Sequence, residues 1–206
     1  MTTISSPMMP TNVRAVPPAP PVRRQLVSSA MLGMLIFIAV ELMFFSGLIS
    51  AFTIVKSSAA PGAWPPPGQP RLPVELTAVN SLVLVASGAL AWLAWRAFTR
   101  RASAPQAARS LLGAAALGAA FVVVQGVEWT RLVGEGLTMR ASTYGSFFYM
   151  IVGAHALHAL AAIAALLWCW RQASVGRLRA PQLGAVLTLW TFVVGLWPVL
   201  YVLVYL

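Results

Sequence analysis

Five long apolar segments are the feature of this sequence that most restricts its fold. Each is more than 20 residues long. A helix rises about 1.5 Å per residue, so each segment can cross a hydrocarbon core of roughly 30 Å. Strands of a membrane barrel would be about 10 residues long and alternate in polarity, which these segments do not. The sequence therefore predicts an all-α polytopic membrane protein with five transmembrane helices in a bundle. The predicted helices are about 26–55, 73–98, 107–130, 142–170 and 182–206.

The composition excludes a soluble domain. Apolar residues make up 59% of the chain and charged residues only 9%, whereas about a quarter of a typical globular chain is charged. Residues 1–25 are polar and rich in proline, which predicts a disordered cytoplasmic tail before a transmembrane domain at 26–206. The connection at 56–72 contains five prolines and is predicted to be extended and non-helical.

The basic residues predict the orientation of the chain in the membrane. Ten of the fourteen Lys and Arg residues lie in the N-terminal tail and in the second and fourth connections. The positive-inside rule then places the N-terminus in the cytoplasm and the C-terminus in the periplasm. Arg outnumbers Lys by 13 to one, which favours a bacterial gene and an inner-membrane location. Because these residues flank apolar segments and form no basic face, the net charge of +10 does not indicate a nucleic-acid partner.

Glu41 is the ionisable group that lies deepest in a predicted helix. It stands mid-way along the first segment, and nothing close to it in sequence can neutralise it. A carboxylate is costly in lipid, so Glu41 must be protonated or must face a partner on another helix. Two hypotheses follow. Glu41 is either a membrane-embedded carboxyl with a role in proton transfer or in gating, or a protonated side chain that hydrogen-bonds a neighbouring helix.

A second polar group lies towards the end of the third segment. Gln125 and Glu128 are three residues apart and share a helix face, and Arg131 lies a further three residues on, where it can pair with Glu128. With Trp129 as an aromatic anchor, this pattern is typical of an interfacial ion pair. The alternative is a contact with lipid headgroups or with a partner subunit.

The two histidines of the chain, His155 and His158, do not make a metal centre. They are three apart and lie on one face of a helix, so they cannot approach haem iron from opposite sides. A copper or zinc site needs more ligands than these, and Cys169 is the only cysteine. Structural, hydrogen-bonding histidines are therefore favoured, and Asn80 is predicted to be a polar helix-packing position. Because the chain contains no Asp, a Ser-His-Asp hydrolase is excluded.

Taken in order, the segments resemble subunit III of the haem-copper (cytochrome c) oxidases, in its short five-helix form. The resemblance covers about residues 29–206. It is most specific in the fourth segment, and the last segment keeps the family's two tryptophans, seven residues apart. The matching motifs are Glu41-Leu-Met-Phe-Phe, Asn80-Ser81, Gln125 with Glu128-Trp129, Tyr144-Gly-Ser-Phe-Phe, Gly153-Ala-His155-Ala-Leu-His158, and Trp190 with Trp197.

The chain departs from the family pattern in the last segment. The family has a Trp-His-Phe-Val-Asp run, whereas this chain has Thr191 and Val194 at the His and Asp positions. Whatever those two polar groups do in the family is not carried over to this chain.

The resemblance implies a small subunit without a cofactor of its own. It would pack beside the catalytic subunit and the copper-binding subunit, which hold the haem and copper. It would bind membrane lipids, with a structural phospholipid in a cleft near Glu41, and would sustain proton uptake during oxygen reduction in aerobic electron transport. The alternatives are a related accessory subunit of a nitric-oxide reductase and an independent transporter. No internal repeat or pair of broken helices favours the transporter.

Overall fold

Five long helices form the protein. The computed structural model describes residues 28–60, 64–100 and 104–206, and every regular element in these ranges is a helix. The predicted five-helix fold is therefore confirmed, whereas the predicted tail at 1–25 lies outside the described residues. The helices are α1 (Ser29–Ser58), α2 (Val74–Thr99), α3 (Ala104–Gly134), α4 (Thr143–Ser174) and α5 (Ala180–Leu200), and α5 continues into a π-helical end, Tyr201–Tyr205.

The ends of the helices follow from local chemistry. The hydroxyl of Ser28 accepts a hydrogen bond from the backbone N–H of Met31 at 3.3 Å, and that of Ser142 caps α4 in the same way at 3.1 Å. Gly176 follows α4 with a φ of 68°, a left-handed conformation that glycine adopts without strain. The third helix extends past the predicted end at residue 130, because Glu128 and Arg131 neutralise each other on one face and let the helix continue beyond the apolar run.

α5 lies at the centre of the bundle. It packs against α1, α2 and α4, while α2 packs against α3 and α3 against α4. Trp190 and Trp197, two helical turns apart on α5, are both almost fully buried. Trp197 meets the ring of Phe121 on α3 edge to face, with ring centres 4.9 Å apart. The two tryptophans that match the family pattern thus both lie in the core of the bundle.

Small residues bring α2 and α3 close together. Ala91, Ala94 and Ala114 are buried between the two helices, and the hydroxyl of Ser87 donates a 2.7 Å hydrogen bond to the carbonyl of Ala114. Lipid does not drive apolar helices together, so close backbone approach and such hydrogen bonds hold them. α1, in contrast, packs mainly on α5 and, over a smaller area, on α4.

Candidate functional site

Glu41 faces a partner on another helix. Its Oε2 lies 3.1 Å from Nε2 of His158 on α4, and the two side chains are only 15% and 16% exposed. The rings of Phe37 and Phe45 flank the imidazole, with centres 6.1 and 5.6 Å away. The two atoms are at ion-pair distance but without the alignment of a hydrogen bond. The structure thus gives Glu41 the interhelical partner that its position in the membrane requires.

The second nitrogen of His158 defines how protons are arranged in this pair. Nδ1 lies 2.7 Å from the carbonyl oxygen of Ala154, which can only accept a hydrogen bond, so Nδ1 carries a proton. Nε2 then is either unprotonated and faces a neutral Glu41 carboxyl, or is protonated and faces the Glu41 carboxylate. Both arrangements have a net charge of zero and differ in the position of one proton. The pair can therefore hold a single proton between two helices without leaving a net charge in the membrane.

His155 lies in a different environment from His158. It is 2% exposed, and neither ring nitrogen has a hydrogen-bond partner. Its ring lies against Trp197 with centres 5.3 Å apart and meets the edge of Phe45 at 6.5 Å. His158 makes a hydrogen bond as expected, whereas the described residues give the His155 ring no hydrogen-bond partner, and this ring lines a cavity of about 130 Å³.

Amide side chains join α2, α3 and the π-helical end. Nδ2 of Asn80 donates to the carbonyl of Phe121 at 3.0 Å and also lies 3.4 Å from Oε1 of Gln125. Nε2 of Gln125 donates to the hydroxyl of Tyr205 at 2.9 Å. Both amides and the tyrosine are buried. This buried network is neutral and connects three elements, which agrees with the prediction that Asn80 is a polar helix-packing position.

The two tryptophans of α5 differ in how their indole N–H groups are used. Nε1 of Trp197 donates to the hydroxyl of Ser81 at 2.8 Å, and that hydroxyl donates to the carbonyl of Thr77 at 2.7 Å. Nε1 of Trp190 has no hydrogen-bond partner within the described part of the chain. Its ring instead reaches α3, where a Cβ on Gly118 would lie 2.5 Å from Cη2. Trp190 is thus positioned by close packing alone, whereas Trp197 is positioned by packing and by a hydrogen bond.

The predicted ion pair at the end of α3 forms. Nη1 of Arg131 lies 2.9 Å from Oε1 of Glu128, with side-chain exposures of 64% and 9%. Trp129 packs against Phe148 of α4 with ring centres 6.5 Å apart. Tyr144, also buried near this end, meets Trp64 of the α1–α2 connection edge to face at 5.3 Å. These residues close one end of the bundle, away from Glu41.

The two departures from the family pattern lie on different surfaces of α5. Thr191 is exposed and lines an open groove between α1, α2 and α5. Val194 packs on α2, where a Cβ on Gly88 would lie 3.1 Å from its Cγ1. Neither residue contributes to the Glu41–His158 pair.

Several residues that build this site had no role predicted from the sequence, although Phe45 stands in the Glu41-Leu-Met-Phe-Phe motif. Phe45 contacts both histidines, Tyr205 completes the amide network, and Gly118 makes room for Trp190. Phe45 is one helical turn from Glu41, and that spacing could have identified it. Tyr205 and Gly118 carried no such pattern, because their partners lie on other helices.

Comparisons with known proteins agree with this architecture. The family model described as "Cytochrome c oxidase subunit III" matches residues 23–206. A protein of Nocardia farcinica named "Probable cytochrome c oxidase subunit 3" is 31% identical over 176 residues, which cover 84% of this chain and 85% of that protein. The subunit 3 of a Synechocystis species is 34% identical over 181 residues, covering 85% and 75%. That of Lemur catta is 34% identical over 182 residues, covering 84% of this chain and 64% of the animal protein.

Proposed function

This chain belongs to the cytochrome c oxidase subunit III family and is a subunit III component of a haem-copper oxidase, and we propose that within that complex it has a supporting rather than a catalytic role. It works with the other oxidase subunits, which we propose are the haem-copper catalytic subunit and the copper-binding subunit. Its contributions are assembly, lipid binding and sustained proton uptake during oxygen reduction. The reductase-accessory and transporter alternatives are not favoured, since the related proteins carry the oxidase name.

The Glu41–His158 pair carries this proposal. It is the contact at which polar groups join α1 to α4, with 3.1 Å between Oε2 of Glu41 and Nε2 of His158. We propose that the pair keeps α1 on the bundle and keeps a phospholipid in place beside it. Two exposed apolar side chains support the lipid assignment. Val40, next to Glu41 in sequence, is 56% exposed, and Leu157, next to His158, is 67% exposed.

Substitution of Glu41 in the assembled oxidase tests the role of the pair. Glu41→Gln keeps the shape and a hydrogen-bonding group, so we expect normal assembly and normal initial turnover. Glu41→Ala leaves a void and an unpartnered His158, so we expect reduced assembly. Glu75→Gln, which alters an exposed acid at the start of α2, is the matched control. Normal assembly of Glu41→Gln with a steep loss of proton uptake would show that the carboxyl itself transfers protons and would overturn the packing role.

The absence of a cofactor from this chain is a second part of the proposal. The small number of available metal ligands supports it. His155 is buried, and both ring nitrogens of His158 already lie against Glu41 and the Ala154 carbonyl. We expect the purified single chain to show no visible absorption and no stoichiometric metal in elemental analysis. A stoichiometric haem or copper would contradict this part of the proposal while leaving the family assignment unaffected.

The location in the cell is the third part. The chain is a multi-pass membrane protein with five helices long and apolar enough to span. We propose the bacterial inner membrane, with the N-terminus in the cytoplasm and the C-terminus in the periplasm, because the basic residues are concentrated on one side of the bundle. Reporter fusions at residues 1 and 206 should report opposite sides, and a result on the same side would refute the orientation.

A further inference from the structure

A cavity beside His155 lies between α3, α4 and α5. It has a volume of about 130 Å³ and shares no lining residue with the open groove between α1, α2 and α5. The rings of Phe121 and Trp197 line it, together with the side chains of Gln125, Trp129 and His155. A water molecule takes about 30 Å³ in the liquid, so the cavity has room for a few of them.

The imidazole of His155 is the polar group in this wall that most requires a partner. The residue is 2% exposed, and the described side chains and backbone offer neither ring nitrogen a hydrogen bond. The rings of Trp197 and Phe45 pack against it instead, with centres 5.3 and 6.5 Å away. Buried polar groups in native proteins are bonded to protein or to ordered water, because an unpaired one is costly. A molecule in the adjacent cavity is therefore the available partner for the imidazole.

Two side chains on α3 add further hydrogen-bonding groups to the same cavity. Nε1 of Trp129 makes no aligned hydrogen bond within the part of the chain that the structure describes, and it can only donate. Gln125 uses one of its two amide N–H groups to reach Tyr205 at 2.9 Å. A neutral imidazole supplies one N–H donor and one acceptor nitrogen. The ligand of this cavity must therefore both accept and donate hydrogen bonds.

These requirements exclude other classes of occupant. An acyl chain would fill the volume but would leave the imidazole and the indole N–H unpaired. No lining residue carries a charge, so an ion would remain uncompensated inside the membrane. A metal ion also lacks ligands, because the described residues contain no group of three His, Cys, Asp or Glu side chains that could hold one. Water is small, neutral, and both a donor and an acceptor.

We infer that this cavity is a buried hydration site, in which water bridges the imidazole of His155 on α4 to Trp129 and Gln125 on α3. The bound water extends the amide network of Asn80, Gln125 and Tyr205 to a further helix. Hydration of the cavity does not depend on the role of the chain in oxidase turnover, since the measurements below follow water and stability alone.

Solid-state NMR of the full chain in lipid bilayers tests the site directly. The chain has only two histidines, so labelling with ¹⁵N-histidine gives two imidazole signals, and His158→Asn leaves the signal of His155 alone. We expect a cross-peak between water protons and the His155 imidazole, and exchange of its N–H in deuterated buffer. An imidazole without a water cross-peak would overturn the inference.

Two matched variants on α4 test where the water lies. Ala156 lines the cavity, so Ala156→Leu should fill it and abolish the water cross-peak of His155. Ala161 is exposed on the same helix and does not line the cavity, so Ala161→Leu should leave the cross-peak unchanged. If the cross-peak persisted in Ala156→Leu, the water would not occupy this cavity.

The thermal midpoint of His155→Phe distinguishes a hydrated imidazole from a dry one. The adjacent cavity gives the slightly larger ring room, so overpacking is not expected. Loss of the hydrogen bonds to water should lower the midpoint, whereas removal of a dry, unpaired imidazole should raise it. A raised midpoint would contradict the hydration site.

The assembled oxidase provides the last test. A cryo-EM map that resolves ordered water should show discrete peaks at hydrogen-bond distance from a ring nitrogen of His155. A continuous, elongated density in the cavity would identify an acyl chain as the occupant and would overturn the inference.

Discussion

α1 and the four-helix unit α2–α5 are held by different kinds of interaction. In the most apolar part of α1 only 6% of the residues are buried, against 39% for α4. α2–α5 are joined by neutral hydrogen bonds from Asn80, Ser87, Gln125 and Trp197. α1 is joined by Phe45, Phe52 and the ionisable Glu41–His158 pair.

This difference indicates where the molecule can respond to its surroundings. Neutral hydrogen bonds between buried amides and hydroxyls do not change with the proton supply. The Glu41–His158 contact is made by two ionisable side chains, and it lies on the helix with the least buried surface. We therefore expect α1 to respond to substitutions and protonation, and α2–α5 to act as the rigid support.

The largest expected effect tests the rigidity of that support. In Gly118→Ala the new methyl group would lie 2.5 Å from Cη2 of Trp190, a ring that is fully buried and cannot turn aside. Overpacking of this kind costs about 1–3 kcal/mol. The free energy of unfolding in detergent, measured by denaturant titration, should fall by that amount.

The control for this substitution lies on the same helix. A Cβ on Gly126 would meet nothing within 4 Å, so Gly126→Ala should leave the stability of the protein unchanged or slightly improve it. Equal losses for the two variants would show that glycine itself, and not the close approach of Trp190, is what α3 requires.

We expect a smaller effect from the contact that attaches α1, namely a coupling energy between Glu41 and His158. A double-mutant cycle with Glu41→Ala and His158→Ala should give a coupling of about 0.6–1.7 kcal/mol, the range for polar contacts between membrane helices. Cysteine accessibility along α1 should rise in each single variant, because α1 has little other buried surface. Strictly additive effects would mean that the two side chains are neighbours without an energetic interaction.

Loss of the amide network should lower the stability by an amount comparable to the Glu41–His158 coupling energy, without making any helix more accessible. Asn80→Leu removes the hydrogen bonds to the Phe121 carbonyl and to Gln125, and we expect a loss of about 0.6 kcal/mol. Ser57→Ala, whose hydroxyl bonds only within its own helix, is the control and should have no effect. If Asn80→Leu exposed α2 to cysteine reagents, the description of α2–α5 as one rigid unit would be wrong.

The smallest effect is expected at the end of α3. Arg131 is 64% exposed, and surface pairs at this spacing contribute a few tenths of a kcal/mol. Arg131→Gln should therefore lower the thermal midpoint barely more than Arg140→Gln, an exposed arginine in the next connection. A loss above about 1 kcal/mol would show that burial of Glu128 without its partner dominates.

Local sequence was sufficient for features that lie within one helix. The five spans follow from runs of apolar residues, and the Glu128–Arg131 pair follows from its spacing of three. The same spacing placed His155 and His158 on one face, and both contact Phe45. The spacing did not show how the two histidines differ. His158 lies beside the Glu41 carboxyl and the Ala154 carbonyl, whereas His155 packs against the rings of Phe45 and Trp197.

The sequence by itself determined the number of helices and the demand that Glu41 be neutralised. A bilayer leaves no water for unpaired backbone groups, so each apolar run must form its own helix. Only the tertiary structure decided that His158 is the partner, that Trp190 needs Gly118, and that α1 and α2 leave a groove over α5. Faces that meet lipid and faces that meet protein are equally apolar in a membrane helix, so hydropathy does not encode how the helices are rotated or which of them become neighbours.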